Sequence, residues 1–217
     1  MLEFQLAHAR ARDAVHQEFE PQRVAAALPS HDVRTVRSRA IDRRTYLQRP
    51  DLGRRLDESS AASLPRGEYE AVFIVADGLS ARAVHEHAAA MLAATLPQLA
   101  GWKIGPIIVA CHARVALGDE IGERLGARLA VLLIGERPGL SAPDSLGVYL
   151  TWQPRIGRVD SERNCISNIR PPAGLSYDQA AARLSWLMNM ARRLRLTGIA
   201  LKEESGAQAL PARITAR

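Results

Sequence analysis

Ala71-Val-Phe-Ile-Val-Ala76, followed at once by Asp77-Gly78-Leu79-Ser80, decides the architecture of this chain. Six apolar residues in a row, rich in β-branched types, suit a strand covered on both faces. Asp77 and Gly78 end the run, and Ser80 is placed to cap a helix. Val84, His87, Ala88, Met91, Leu92, Thr95 and Leu96 then recur at the spacing of one helix face. The alternation repeats downstream. Ile107–Ala110 reads as a second strand, Gly118–Leu125 as a short helix, Leu129–Ile134 as a third strand and Leu146–Thr151 as a fourth. Ser176-Tyr-Asp-Gln179 is a capping box, in which serine takes the N3 amide and glutamine reaches back. The helix it opens ends near Gly198, and Ile199-Ala-Leu201 is expected to close as a fifth strand. The expected fold class is α/β, a mainly parallel Rossmann-like sheet with helices on both faces.

Upstream the pattern differs. Residues 2–19 read as an amphipathic helix with Leu2, Leu6, Ala9 and Phe19 near one stripe. Pro21 can open a short helix through Ala27, because its missing N–H costs nothing at the first position. Val33 and Val36 flank a short strand, and Asp42–Ser63 is a polar, Arg-rich loop-and-helix connector broken by Pro50 and Gly53. The expected organisation is an N-terminal helical region and connector over 1–66, an α/β domain over 67–204, and a loose tail over 205–217.

The chain has 217 residues, 47% of them apolar and 24% charged, an ordinary soluble composition with room for a real core. Its +6 net charge divides as +3 in residues 1–66 and +3 in 67–217, with both signs interspersed. All but two of the 29 basic residues are arginine, which raises the pI without making a patch. The one local excess is Arg183–Arg217. Nucleic-acid binding, which needs a focused basic face, is not expected. No apolar run nears the ~20 residues that span a bilayer, and no signal pattern opens the chain, so no membrane partner is expected. Cys111 and Cys165, 54 positions apart, form neither a disulfide framework nor a zinc motif.

Several signatures fail. Neither lysine follows a glycine, which excludes a P-loop, and no Gly-x-Gly occurs. Gly78-Leu-Ser80-Ala-Arg82 approaches a nucleophile elbow, but arginine stands where the second glycine is needed. His85 and His87 lie two apart in a helix and diverge, so no metal site is expected. Three loops remain where an open α/β sheet takes its ligands, beyond the carboxyl ends of its strands: 77–80, 114–119 and 135–139. Glu136, one glycine past the third strand, should sit at the sheet edge as a partly buried acceptor. Arg163–Arg170 adds amides, a hydroxyl, a thiol and two guanidinium groups. By chemistry alone this is a polar small-molecule crevice, of a stand-alone binding protein or of a hydrolase using Ser80.

The same segments carry a likeness. Phe4-Gln-Leu-Ala-His-Ala-Arg-Ala-Arg-Asp-Ala-Val15, Ala76-Asp-Gly-Leu-Ser80, Arg114-Val-Ala-Leu-Gly-Asp-Glu-Ile-Gly-Glu123, Gly135-Glu-Arg-Pro-Gly-Leu140 and Asn164-Cys-Ile-Ser-Asn-Ile-Arg170 resemble, in order, the small subunit (light chain) of ethanolamine ammonia-lyase. The likeness runs over about residues 4–204; the family usually carries a further segment ahead of Phe4. The resemblance implies a hetero-oligomer with a large subunit that holds the substrate and the radical chemistry. Adenosylcobalamin lies between the two chains, and no catalytic residue is expected on this one. Val115, Glu136 and Cys165 match the family's cobalamin-contacting positions. No histidine here has aspartate two residues before it, so the Asp-x-His-x-x-Gly cobalt-ligating motif is missing. That fits base-on binding, with no cobalt ligand from this chain. The expected setting is the cytoplasm, either free or inside a bacterial microcompartment.

Overall fold

The computed structural model describes residues 2–203; the expected tail over 205–217 lies outside them. Six strands form one sheet in the order β1-β3-β2-β4-β5-β6: β1 Val33–Arg37, β2 Ala71–Ala76, β3 Ile107–Cys111, β4 Leu129–Gly135, β5 Leu146–Trp152 and β6 Arg163–Ile169. The four strands β1, β3, β2 and β4 pair parallel, whereas β5 and β6 are antiparallel additions. The sheet is therefore mostly, not purely, parallel. The hairpin from β4 to β5 is short enough to reverse direction, whereas parallel pairs need crossovers. Those crossovers are α5 (Ala81–Thr95), between β2 and β3, and α6 (Leu117–Leu125), between β3 and β4.

Alternation along β2 sends its side chains to two cores. Phe73 and Val75 pack with α2 (Pro21–Ala26), α5 and α7 (Tyr177–Leu194) on one face. Val72 and Ile74 pack with Leu117, Ile121 and Leu125 of α6 on the other. All six β2 residues are buried, as a doubly covered strand requires. The expected caps form: Ser80 accepts the Ala83 amide, and Ser176 and Gln179 complete the box that starts α7.

The short strand expected around Val33 and Val36 is β1, which joins the sheet edge beside β3. Other expectations change. The first helix, α1 (Leu2–His16), stops before Phe19, and its expected stripe faces outward at Leu6 (51% exposed); Ala14 is what it buries. Phe19 stacks instead on His85, 5.4 Å away between ring centres. Ile199-Ala-Leu201 is not a strand. Gly198 turns at φ +88°, and Asn164 takes the Gly198 and Leu201 carbonyls that a ladder would need. The further strand is Arg163–Ile169. The expected Asp42–Ser63 connector supplies two short helices, α3 (Arg43–Gln48) and α4 (Glu58–Ser63), capped by Asp42 and Asp57.

Among the described residues no helix is long and apolar enough to cross a membrane.

Candidate functional site

The three sequence-selected loops meet. A cavity of about 410 Å³ at the carboxyl ends of β2, β3 and β4 is lined by Gly78 and Leu79, by Arg114 and Val115, and by Gly135, Glu136 and Arg137. β2 has β3 on one side and β4 on the other, so the crevice lies where the strand order turns back, as in other open α/β sheets. Two glycines let the loops close on each other. Gly78 has φ +56°, and a Cβ on it would collide with the Gly135 carbonyl, which accepts the Leu79 amide at 2.9 Å.

Glu136 is held from three directions. The Ser145 hydroxyl donates to Oε2 at 2.5 Å, the Asn168 amide donates to the same oxygen at 3.2 Å, and the Ser167 hydroxyl donates to Oε1 at 2.6 Å. The Glu136 amide in turn donates to the Ser145 carbonyl at 2.9 Å. Gly147 leaves the room: a Cβ there would stand 2.8 Å from Glu136 Oε1. A carboxylate offers about four lone-pair sites. Three are used, so Glu136 arrives as a fixed, half-buried acceptor with one direction left.

Val115 lines the same cavity as Glu136. Cys165 is not among its lining residues. It sits on β6 directly opposite Tyr149 of β5, which is one of them, and Ser167 lines the cavity two residues on. Cys165 is exposed on the face of β6, yet the neighbours packed around its sulfur desolvate it and push the thiol up to about 11, with a Tyr149 hydrogen bond opposing the shift and Glu136 adding to it. At neutral pH it is therefore a thiol and not a thiolate nucleophile.

Tyr46, which sequence reading missed, forms another wall. Two guanidinium groups lie over its ring, Arg114 at 4.2 Å and Arg43 at 4.9 Å from the centre. Burial pushes its hydroxyl pKa up, and it stays a donor to the Ala113 carbonyl at 3.1 Å. Asp42, a capping residue before an aromatic helix turn, is the signal that could have placed it. Arg43 continues to the fully buried Asp77 at 3.2 Å and to the Gly78 carbonyl at 2.7 Å. Asp77 itself accepts the Ala113 amide at 2.9 Å, so it ties the ends of β2 and β3 together. A second cavity, about 570 Å³, lies at Arg43 and Asp77, with Cys111 and His112 in its wall.

The hydrolase reading loses its nucleophile. Ser80 is fully buried, accepts from Ala83 and donates to the Pro143 carbonyl at 2.8 Å. His87 points elsewhere and shares a hydrogen bond with the Tyr177 hydroxyl at 2.9 Å. Glu86, His87 and Asp144 do bring ligand atoms within 4.8 Å of one another. Arg82 holds Glu86 at 2.7 Å and Arg170 holds Asp144 at 2.8 Å, two cations that oppose a third.

Residues 1–202 match the protein family described as "Ethanolamine ammonia-lyase light chain (EutC)". The chain belongs to that family. Relatives named "Ethanolamine ammonia-lyase small subunit" come from Bradyrhizobium diazoefficiens (53% identical, covering 99% of this chain and 84% of the relative), Xanthomonas campestris pv. campestris (52%, 94% and 78%) and Pseudomonas fluorescens (51%, 96% and 80%). Membership in the ethanolamine ammonia-lyase light-chain family agrees with the sequence resemblance, and the match spans every loop of the crevice.

Proposed function

We propose that this chain is the small subunit of an ethanolamine ammonia-lyase and binds adenosylcobalamin where it meets a large catalytic subunit. Residues 67–204 are the cobalamin-binding domain, and Val115, Glu136 and Cys165 contact the cofactor. The observation that carries this reading is the Glu136 carboxylate, held by Ser145, Ser167 and Asn168 at the crevice edge before any ligand arrives. The donor chemistry fits, because a corrin ring is fringed with amide N–H groups and the free lone pair of Glu136 can accept one. Val115 offers apolar surface beside it, and the protonated Cys165 behaves as a compact apolar side chain.

Size supports a shared site. Small-molecule pockets span about 300–1,000 Å³. This one, at about 410 Å³, lies toward the small end, which suits a site that a second chain completes around a cofactor as large as cobalamin. The large subunit is that second chain and holds the catalytic residues; this chain holds and orients. When bound, adenosylcobalamin supplies a 5′-deoxyadenosyl radical for the conversion of ethanolamine to acetaldehyde and ammonia. This chain, which lacks the Asp-x-His-x-x-Gly motif, would hold the cofactor without supplying a cobalt ligand. The assembly works in the cytoplasm, free or inside a microcompartment.

The test is the visible spectrum of corrin retained after desalting, for the co-expressed pair and for each chain alone. Retention by the pair only is the expected result. Loss of corrin from a folded, associated pair would return the crevice to an unnamed ligand. Glu136→Ala should weaken retention about tenfold, the value of one hydrogen bond to a charged group. Cys165→Ala should keep most of the affinity.

A further inference from the structure

Arg43 touches the walls of the Glu136 crevice without lining it. It lines the neighbouring cavity of about 570 Å³ instead, yet its guanidinium joins three parts of the chain. Nε donates to the Val15 carbonyl at 2.8 Å, and Nη1 donates to the Gly78 carbonyl at 2.7 Å and to Asp77 Oδ2 at 3.2 Å. Its Cζ stands 4.9 Å from the centre of the Tyr46 ring. Gly78 and Tyr46 are both walls of the Glu136 cavity.

Each contact has its own physical reason. Val15 lies in the last turn of α1, where carbonyls lack partners within the helix and a cation is favoured. Arg43 and Tyr46 stand three apart on α3 and so share a face. Asp42 fixes the start of that helix by accepting the Thr45 amide at 2.7 Å. Asp77 has no exposure; burial pushes its pKa up, and the Ala113 amide and Arg43 oppose the shift. A guanidinium can donate in several directions from one plane and still lie over an aromatic ring, whereas an ammonium is a point charge. One side chain thus sets the spacing of α1, α3 and the loop after β2, segments far apart in sequence.

We propose that Arg43 is a positioning residue for the ligand of this crevice: it holds the Gly78 backbone and the Tyr46 ring at the separation the bound molecule needs, without touching that molecule. The inference rests on the cobalamin reading, so the probe is adenosylcobalamin. A site is tight or loose according to the groups that support its lining. Outer groups that orient metal ligands are worth about 10–100-fold in affinity, and Arg43 should act at the lower end of that range.

The experiment measures adenosylcobalamin affinity of the intact two-subunit complex from its visible spectrum, beside the thermal midpoint of the same complex without cofactor. Arg43→Met should lower the midpoint, because Asp77 is left buried without its guanidinium. It should also weaken affinity about tenfold. Two further variants separate these effects. Arg43→Lys keeps a cation beside Asp77 but loses the fork and the stack. Arg43→Met combined with Asp77→Asn removes the buried charge and keeps an acceptor for the Ala113 amide. Both should recover most of the midpoint while most of the affinity loss remains. Where Arg43→Met fails to assemble, these two carry the comparison. Affinity that returns together with the midpoint would show that Arg43 only stabilises the fold, and would overturn the proposal. Wild-type affinity in Arg43→Met would overturn it equally, and either result leaves the cobalamin reading standing. A folded wild-type complex that binds no adenosylcobalamin removes that reading and this proposal with it.

Discussion

The two halves of the sheet carry opposite burdens. In the parallel half, β2 and β4 are buried at every position, because α5 lies on one face and α6 on the other. In the antiparallel half, β5 and β6 place Val148, Leu150, Ile166 and Ile169 against the α5–α7 face, while Tyr149 of β5 packs, partly buried, against the other. The opposite face of β6 stays open at Cys165 and Ser167. Ser167 and Asn168 of β6 supply two of the three donors that hold Glu136, and the buried Ser145, just ahead of β5, supplies the third. A doubly covered strand cannot carry unpaired polar side chains, because each would cost an unmet hydrogen bond. A strand covered once can. Stability and the binding surface are thus divided between the halves, and substitutions should separate them.

The largest effect should come from the parallel half. Phe73→Ala removes a fully buried ring from β2 and should cost about 4 kcal/mol, read as a lower midpoint in urea unfolding. A cost under about 1 kcal/mol would mean that the two faces can close on the void, contrary to the description above. Next comes the join between halves. Arg163 begins β6, and its side chain, 3% exposed, is paired with Asp119 of α6. Burial pushes the Asp119 pKa up and Arg163 opposes it. Arg163→Met leaves that carboxylate buried and unpaired, and should cost about 3 kcal/mol. Pairing it with Asp119→Leu should recover much of the loss; a double variant no better than the single would show that the ion pair is not the cause.

These two strands also mark how far the amino-acid order could be read. β2 and β4 were legible because a doubly covered strand is an unbroken apolar run. Legible too were the caps at Ser80 and Ser176, and the loops that follow β2, β3 and β4. β6 was not. Its pairing with β5 carries an irregularity between Leu146 and Val148, which sets the buried Ile166 and Ile169 three apart instead of two, and Arg163 is buried separately by its pairing with Asp119 of α6. A period of two cannot detect such a strand. Ile199–Leu201 misled in the opposite sense: it is apolar enough for a strand, but Gly198 turns the chain ahead of it and Asn164 takes the Gly198 and Leu201 carbonyls. In the crevice, Glu136 was reached through loop position and Val115 through the family resemblance, and both line the cavity. Tyr46 and the serine cradle come from segments whose place in space depends on tertiary pairing.

The face shared by both halves should show a pH dependence. Burial pushes the His87 pKa below its ordinary value, with Glu86 and Asp144 opposing and Arg170 reinforcing. Burial and Arg23 lower that of His85, against Glu20. The unfolded chain then takes up protons first as pH falls below about 6.5. Stability should be full above that value and decline through it on acidification. Urea midpoints at pH 7.5 and 5.5 should differ in that direction, and His87→Gln should narrow the gap. A higher midpoint at pH 5.5 would mean that His87 is charged in the fold.

Ser176→Ala should cost about 1 kcal/mol by removing the cap of α7, the helix that covers the antiparallel half. Smallest of all in stability should be Ser167→Ala. The residue is exposed on β6, and its hydroxyl bonds only Glu136 Oε1. Its thermal midpoint should stay within the range of ordinary surface changes, about 0.5 kcal/mol. Corrin retention by the two-subunit complex should nevertheless fall, because Glu136 loses one of its three fixed donors and gains freedom to turn. Ser167→Thr, which keeps the hydroxyl, should restore it. If Ser167→Ala lowers stability as much as it lowers retention, the antiparallel half is not free to specialise, and the division between the two halves of the sheet fails where it matters most.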